Sequence, residues 1–282
     1  MDTKYYIKDG CIYFNPEFNE PLDTYIDIMK NCTQIIFSNY DNYEICIETK
    51  NNYSNKYRNN YTGNKFNYPL GNSINQQTQL KKLTFGSYFN SPLGNSLDQL
   101  SQLSQLTFGS YFNQPLGNSL NQLVQLSQLT FGWKFNQPLT NSLDHLFQLS
   151  KLTFGYDFNQ PLINSLDHLS QLKQLTFGEC FNRPLTNSLN QLTQLSQLTF
   201  GDCFNYPLEN SLNRLTQLEQ LTLGYCFNQE LNIPSNIKKL KLNCNNINLI
   251  ENLPNSIVEL EFGYRFNLPL TNLPNSINIM KS

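Results

Sequence analysis

The chain has 282 residues, 39% of them hydrophobic and 14% charged, with a formal net charge of -2. Its 19 Lys and Arg residues are scattered, so no basic face marks a nucleic-acid binder, and no stretch approaches the ~18 apolar residues of a membrane span. The opening MDTKYYIKDGCIYF has no signal-peptide core, and the seven cysteines lack zinc-knuckle spacing, so a cytoplasmic, reducing location is expected.

Residues 1–17 form a mixed N-terminal segment. In FNEPLDTYIDIMKNCTQIIFSNY, Ile26, Met29, Cys32, Ile35 and Phe37 fall at the positions a coil would bury, and YEICIE then alternates like a strand. Together these make 18–48 a region of degenerate N-terminal coils. The polar, Asn- and Tyr-rich stretch 49–65 has too few aliphatic residues to anchor a core and reads as a surface loop.

From 66 to 228 the chain repeats. Phe-Asn recurs at Phe66, Phe89, Phe112, Phe135, Phe158, Phe181, Phe204 and Phe227, each 23 residues after the last. The unit reads F-N-x-P-L-x-N-S-L-x-x-L-x-Q-L-x-x-L-T-F-G-x-x. L-T-F-G is a short strand with Leu and Phe inward, Thr outward and Gly ending it. Pro and Asn-Ser mark a turn. Leu97, Leu100, Leu103 and Leu106 follow at a spacing of three, which predicts a short α- or 3₁₀-helical arc. Ser96, Ser119, Ser142, Ser165, Ser188 and Ser211 stand where an N-cap would, and Gln99, Gln122 and Gln191 complete a capping box. After 228 the period shortens to about 20, with NLPNSI occurring twice, through a C-terminal cap ending at 282.

One such coil cannot bury both of its faces, so coils are stable only when stacked. The expected fold is an α/β repeat solenoid: 23-residue coils with a parallel sheet on one face and short α/3₁₀ arcs on the other. Identical positions then form columns, and the Asn after each Phe is placed to bond the backbone of the next coil.

FNQPL, NSL and LTFG carry a resemblance to FNIP-repeat proteins, a leucine-rich-repeat-like family of social amoebae and giant viruses of amoebae. It is strong over 66–270 and weak over 18–40. The resemblance implies a protein-interaction module. Many members carry an N-terminal F-box, and residues 1–17 are too few to hold one.

Specificity on a solenoid belongs where the repeat stops repeating. The Thr, Gln and Gly columns vary little. The two residues after each Gly do vary: Ser87-Tyr88, Ser110-Tyr111, Trp133-Lys134, Tyr156-Asp157, Glu179-Cys180, Asp202-Cys203, Tyr225-Cys226 and Tyr264-Arg265. Tyr, Trp and Arg are enriched in interface hot spots. The candidate interface is therefore Tyr88, Tyr111, Trp133, Lys134, Tyr156, Asp157, Glu179, Asp202, Tyr225, Tyr264 and Arg265. The alternative is that these side chains only decorate a turn beside the Phe column. Cys180, Cys203 and Cys226 share a column, read as inert half-buried packing, with redox bonding or metal binding as alternatives. His145 and His168, on the arc, read as surface histidines.

The function expected is a non-enzymatic protein-protein interaction surface with no catalytic residue, cofactor or metal, and with an unidentified protein partner. Ubiquitin-ligase components are one possible partner, the F-box then being supplied by another chain. A structural or filament-forming role is the other alternative, and an enzyme built on the His and Cys columns is the least favoured.

Overall fold

A computed structural model describes residues 4–38, 63–208, 210–263, 266–268, 273 and 277–281. Its framework is one sheet of thirteen strands in strict chain order. β1 (Tyr5–Lys8) pairs antiparallel with β2 (Cys11–Phe14). Every later pairing is parallel, from β3 (Gln34–Phe37) and β4 (Lys82–Thr84) to β12 (Glu259–Phe262) and β13 (Asn278–Lys281). The regular coils contribute β5 (Gln105–Thr107), β6 (Gln128–Thr130), β7 (Lys151–Thr153), β8 (Gln174–Thr176), β9 (Gln197–Thr199) and β10 (Gln220–Leu223). Register is fixed by like on like, as Leu106 on Leu129 and Thr107 on Thr130. A one-residue slip would turn every Leu outward.

Past β10 the coil shortens as its sequence requires. Gln220 faces Lys239 of β11 (Lys239–Leu242), Lys239 faces Glu259, and Glu259 faces Asn278, steps of 19, 20 and 19 residues. The N-terminal hairpin was not anticipated. Its signal is Asp9-Gly10, both left-handed (φ 51° and 73°), between YYIK and CIYF, the chemistry of a two-residue hairpin turn. β3 pairs directly with β4. The strand expected in YEICIE and most of the loop expected at 49–65 lie outside the described residues.

Each coil buries a fixed set of side chains. In one of them Phe112, Leu116, Leu120, Leu123, Leu126, Leu129 and Phe131 are all at most 2% exposed. Two phenylalanine columns run through the core. Rings stack along each column, as in Phe108–Phe131 at 5.5 Å and Phe112–Phe135 at 6.1 Å, and across them, as in Phe131–Phe135 at 3.9 Å. Near-parallel stacks of this kind add about 0.5–1.5 kcal/mol each beyond area burial.

The asparagine column does what its chemistry suggested. The Oδ1 of Asn19, Asn67, Asn90, Asn113, Asn136, Asn159, Asn182 and Asn205 each accepts the backbone N–H of the Asn in the next described coil, at 2.7–3.1 Å. A serine column does likewise: Ser127 and Ser150 hydroxyls donate to the Ser104 and Ser127 carbonyls at 2.9 and 3.0 Å. These bonds run across coils and tie the stack where the three-residue strands cannot.

The arcs differ in detail from the expectation. Among the described residues of the regular coils they are successive turns with i→i+3 bonds, such as Leu100 N–H to Leu97 and Leu103 N–H to Leu100, both at 3.0 Å, the 3₁₀ member of the expected pair broken into single turns. The described helices are terminal: a 3₁₀ turn at Leu22–Tyr25, α1 (Ile26–Met29) and α2 (Ile247–Glu251). With no helix start to cap, the serines are used differently. Ser188 and Ser211 are buried and donate to the carbonyls of Leu162 and Thr186 in the preceding coil. The Gln99 backbone N–H is taken by Asn75 Oδ1 at 2.7 Å, not by a capping serine. No described helix is long and apolar enough to cross a membrane.

Candidate functional site

The variable pairs sit directly beyond the strand ends because of the glycine that precedes them. A Cβ on Gly155 would lie 1.8 Å from the carbonyl oxygen of Gly132, so neighbouring coils touch backbone to backbone there. The next two residues leave this contact in step: Lys134 N–H donates to Ser110, Asp157 N–H to Trp133 and Cys180 N–H to Tyr156, at 2.8–2.9 Å. Side chains at equal positions therefore project side by side along one edge of the sheet.

They form two columns. The first carries Ser87, Ser110, Trp133, Tyr156, Glu179, Asp202 and Tyr225, and the second Tyr88, Tyr111, Lys134, Asp157, Cys180, Cys203 and Cys226. Trp133 stacks on Tyr156 with ring centroids 4.5 Å apart and planes 12° from parallel. Tyr88 stacks on Tyr111 at 5.1 Å. Lys134 pairs with Asp157 at 2.9 Å, which holds the lysine pKa above its ordinary value. The pair is solvent-exposed and contributes little to stability. Trp133 is 52% exposed, and Tyr111, Tyr156 and Tyr225 are exposed as well.

The acidic residues have a second role that spacing did not reveal. Glu179 Oε2 accepts the Asp202 backbone N–H at 2.8 Å, and Asp202 Oδ1 accepts that of Tyr225 at 3.1 Å. They are a carboxylate version of the asparagine ladder. Tyr264 and Arg265 lie outside the described residues.

Elsewhere the solenoid differs from the sequence picture on its strand face. On the strand face the uniform Thr and Gln columns give way at the C-terminal coils to Lys239–Glu259 and Lys241–Glu261 ion pairs of 2.8 and 2.6 Å. With Gln220, Thr222 and Met280 they line an open groove of about 250 Å³. The alternation in KLKL and ELEF is the signal that places these charges outward. On the arc, His145 and His168 are exposed, as a surface reading expects, and both make T-shaped contacts with Phe147, at 6.2 and 6.4 Å between ring centroids.

The described cysteines divide into two groups. Cys11, Cys32 and Cys244 are buried, whereas Cys180 is half-buried and Cys203 and Cys226 are exposed free thiols. The half-buried packing expected for the column thus holds at Cys180 alone. Partial desolvation first, then the Asp157 charge, pushes the Cys180 thiol above the ordinary cysteine value, and desolvation first, then the Cys180 and Cys226 sulfurs and the Glu179 and Asp202 charges, does the same for Cys203.

The FNIP Repeat family matches residues 227–265 and 245–281. These are the shorter coils that carry NLPNSI. The resemblance is read as strong over 66–270; the 23-residue coils from 66 to 226 have longer arcs and fall outside the matched segments. Among solved structures, the giant-virus protein CroV588, described as a circular leucine-rich-repeat protein, is 30% identical with a TM-score of 0.72, covering 99% of this chain and 41% of that one. The chain thus spans about two fifths of that protein's length. An internalin of Listeria monocytogenes (inlF) has 12% identity and a TM-score of 0.59, covering 96% and 86% of the two chains. The receptor in a TLR13–ssRNA13 complex has 17% identity and a TM-score of 0.56, covering 77% and 38%. At these identities the last two establish the fold alone. No curated protein matches. The sequential parallel sheet and these likenesses give the chain a leucine-rich-repeat-like solenoid fold whose C-terminal coils match the FNIP Repeat.

Proposed function

We propose that the chain is a non-enzymatic protein-binding scaffold whose recognition surface is the band beyond the strand-ending glycines. The single observation that carries this reading is the exposed stack of Trp133 on Tyr156. Two rings held parallel on adjacent coils are a preorganised apolar platform, and little side-chain entropy remains to be lost on binding. The Lys134–Asp157 pair and the Tyr88–Tyr111 stack extend it along the stack of coils.

Trp133→Ala or Tyr156→Ala removes an anchor worth ~2 kcal/mol of binding, about thirtyfold in affinity, while thermal unfolding shifts little. The test is partner affinity measured alongside unfolding for each variant. Loss of binding only together with loss of fold would defeat the assignment. Recovery of ubiquitin-ligase components as the partner would define the class of complex.

A further inference from the structure

The aromatic run in the first band column stops short on its N-terminal side. The Trp133 and Tyr156 rings stack at 4.5 Å with planes 12° from parallel. That separation is close to the ~4.8 Å spacing of the coils, so the rings stack in the direction in which the coils succeed one another. The indole face turned away from Tyr156 therefore looks toward the preceding coil, where the same column holds Ser110 and, one coil further, Ser87. A hydroxymethyl group is too small to cover an indole. Trp133 stays 52% exposed, and among the described residues Tyr156 is its one ring partner. Beside Ser110, in the second column, Tyr111 stacks on Tyr88 at 5.1 Å. The result is a seat one ring thick, with Trp133 as its wall, Ser110 as its floor and Tyr111 at its side.

Charge lies at the other end of the same column. Lys134 offsets Asp157, but among the described residues no cation pairs with Glu179 or Asp202. Each engages one carboxylate oxygen with the backbone N–H of the next coil, which leaves the other for a donor from outside. From the seat over Ser110 to Glu179 is three coils, about 14 Å. Four residues of extended peptide span about 13–14 Å, and residues four apart project from the same side of it. A ring and a cation at that separation reach both places at once. The carboxylates also discriminate among ring-bearing ligands. A nucleobase would stack on Trp133 as well, but its phosphates would be repelled by Glu179 and Asp202, whereas a Lys or Arg gains charge-assisted hydrogen bonds there.

Taking the band as the recognition surface, on which this inference rests, we propose that its partner presents an extended segment laid across the coils. An aromatic side chain sits on the open face of Trp133, and a Lys or Arg four residues away pairs with Glu179 and Asp202. The partner ring, Trp133 and Tyr156 then form one three-ring stack. The ring is the anchor of the contact, and the cation fixes its orientation and gives it salt dependence.

The test titrates the full chain with the peptide acetyl-Thr-Phe-Thr-Val-Thr-Arg-Thr-amide, following the emission of Trp133, the chain's one tryptophan, with thermal unfolding measured alongside. A saturable change is expected at millimolar peptide or below. Exchanging the peptide's Phe for Ala, or its Arg for Glu, should weaken binding roughly tenfold, and so should moving the Arg next to the Phe. Ser110→Tyr puts the chain's own ring in the seat and should remove the dependence on the peptide's Phe while the fold is kept. Glu179→Gln with Asp202→Asn retains the oxygen that accepts each backbone N–H and removes the charge, so the preference for Arg over Glu should vanish. The proposal is overturned by no saturable change, by a Ser110→Tyr variant that binds as the parent does, or by equal binding of the Arg and Glu peptides. Tighter binding of a thymidine oligonucleotide than of the peptide also overturns it. Protein partners lost from Trp133→Ala and Tyr156→Ala but kept by Ser110→Tyr would reject this seat and leave the band as the interface; partners kept by all three would reject the band itself.

Discussion

Replacing Asn136 with Leu tests the claim that cross-coil side-chain ladders hold the stack. Its Oδ1 accepts the Asn159 backbone N–H at 2.9 Å and the Gln160 side-chain amide at 3.1 Å. Leucine keeps the number and branching of the side-chain heavy atoms but offers no acceptor, so a half-buried backbone N–H is left without its partner. Such a loss costs about 1–3 kcal/mol when fully buried. Partial access to water at this position puts the expected value at about 1–2 kcal/mol. Because a repeat stack can open locally, the assay is amide hydrogen exchange at Asn159, expected to speed up roughly five- to thirtyfold, together with the thermal midpoint. Asn136→Asp keeps the oxygen, as Glu179 and Asp202 do in their own column, and should stay within about 0.5 kcal/mol of the parent. If Leu and Asp behave alike, or Asn159 exchange is unchanged in the Leu variant, the ladder does not stabilise the stack.

Thr140 and Thr186 hold left-handed φ values of 40° and 44° where Gly71, Gly94 and Gly117 stand in other coils, a conformation costing a β-branched residue about 1–2 kcal/mol. Thr140→Gly and Thr186→Gly should therefore each raise stability, read as a higher denaturation midpoint; a lower midpoint would show that the threonines make compensating contacts. Because the Cys203 thiol is held above its ordinary pKa and the thiolate is the nucleophile, its alkylation at pH 8 should be slower than that of a free thiol and keep accelerating beyond pH 9. A rate equal to the free thiol's would contradict the desolvation and carboxylate field assigned to it. Trp133, the chain's one tryptophan, should emit as an exposed indole and be quenched by small solutes, more so after Tyr156→Ala; shielding from quencher would remove the platform.

The repeat length, the inward Leu and Phe, and the asparagine ladder were legible because like residues stack on like and each column has one environment. The arc was only half legible. Leu97, Leu100 and Leu103 at a spacing of three fit a 3₁₀ helix and a series of single turns equally, and serine before such a run suits a cap or a hydroxyl that bonds the preceding coil. Ile163 shows the same limit. It stands in the column that Gly94, Gly117 and Thr140 occupy, yet the left-handed residue in that coil is Asn164, φ 58°, which accepts the conformation better than a β-branched side chain. That leaves Ile163 70% exposed. In the band, departure from the repeat identified Trp133 and Tyr156. The backbone bonds made by Glu179 and Asp202 were not legible, because a carboxylate facing solvent and one bridging two coils have the same spacing.

The most direct test of the band as the recognition surface is quantitative affinity enrichment with paired variants of equal stability. One bait carries Trp133→Ala and Tyr156→Ala, and the other carries His145→Gln and His168→Gln on the opposite arc. The account predicts partners bound by the parent and the arc variant but depleted at least tenfold from the band variant. Partners lost from the arc variant and retained by the band variant would contradict it.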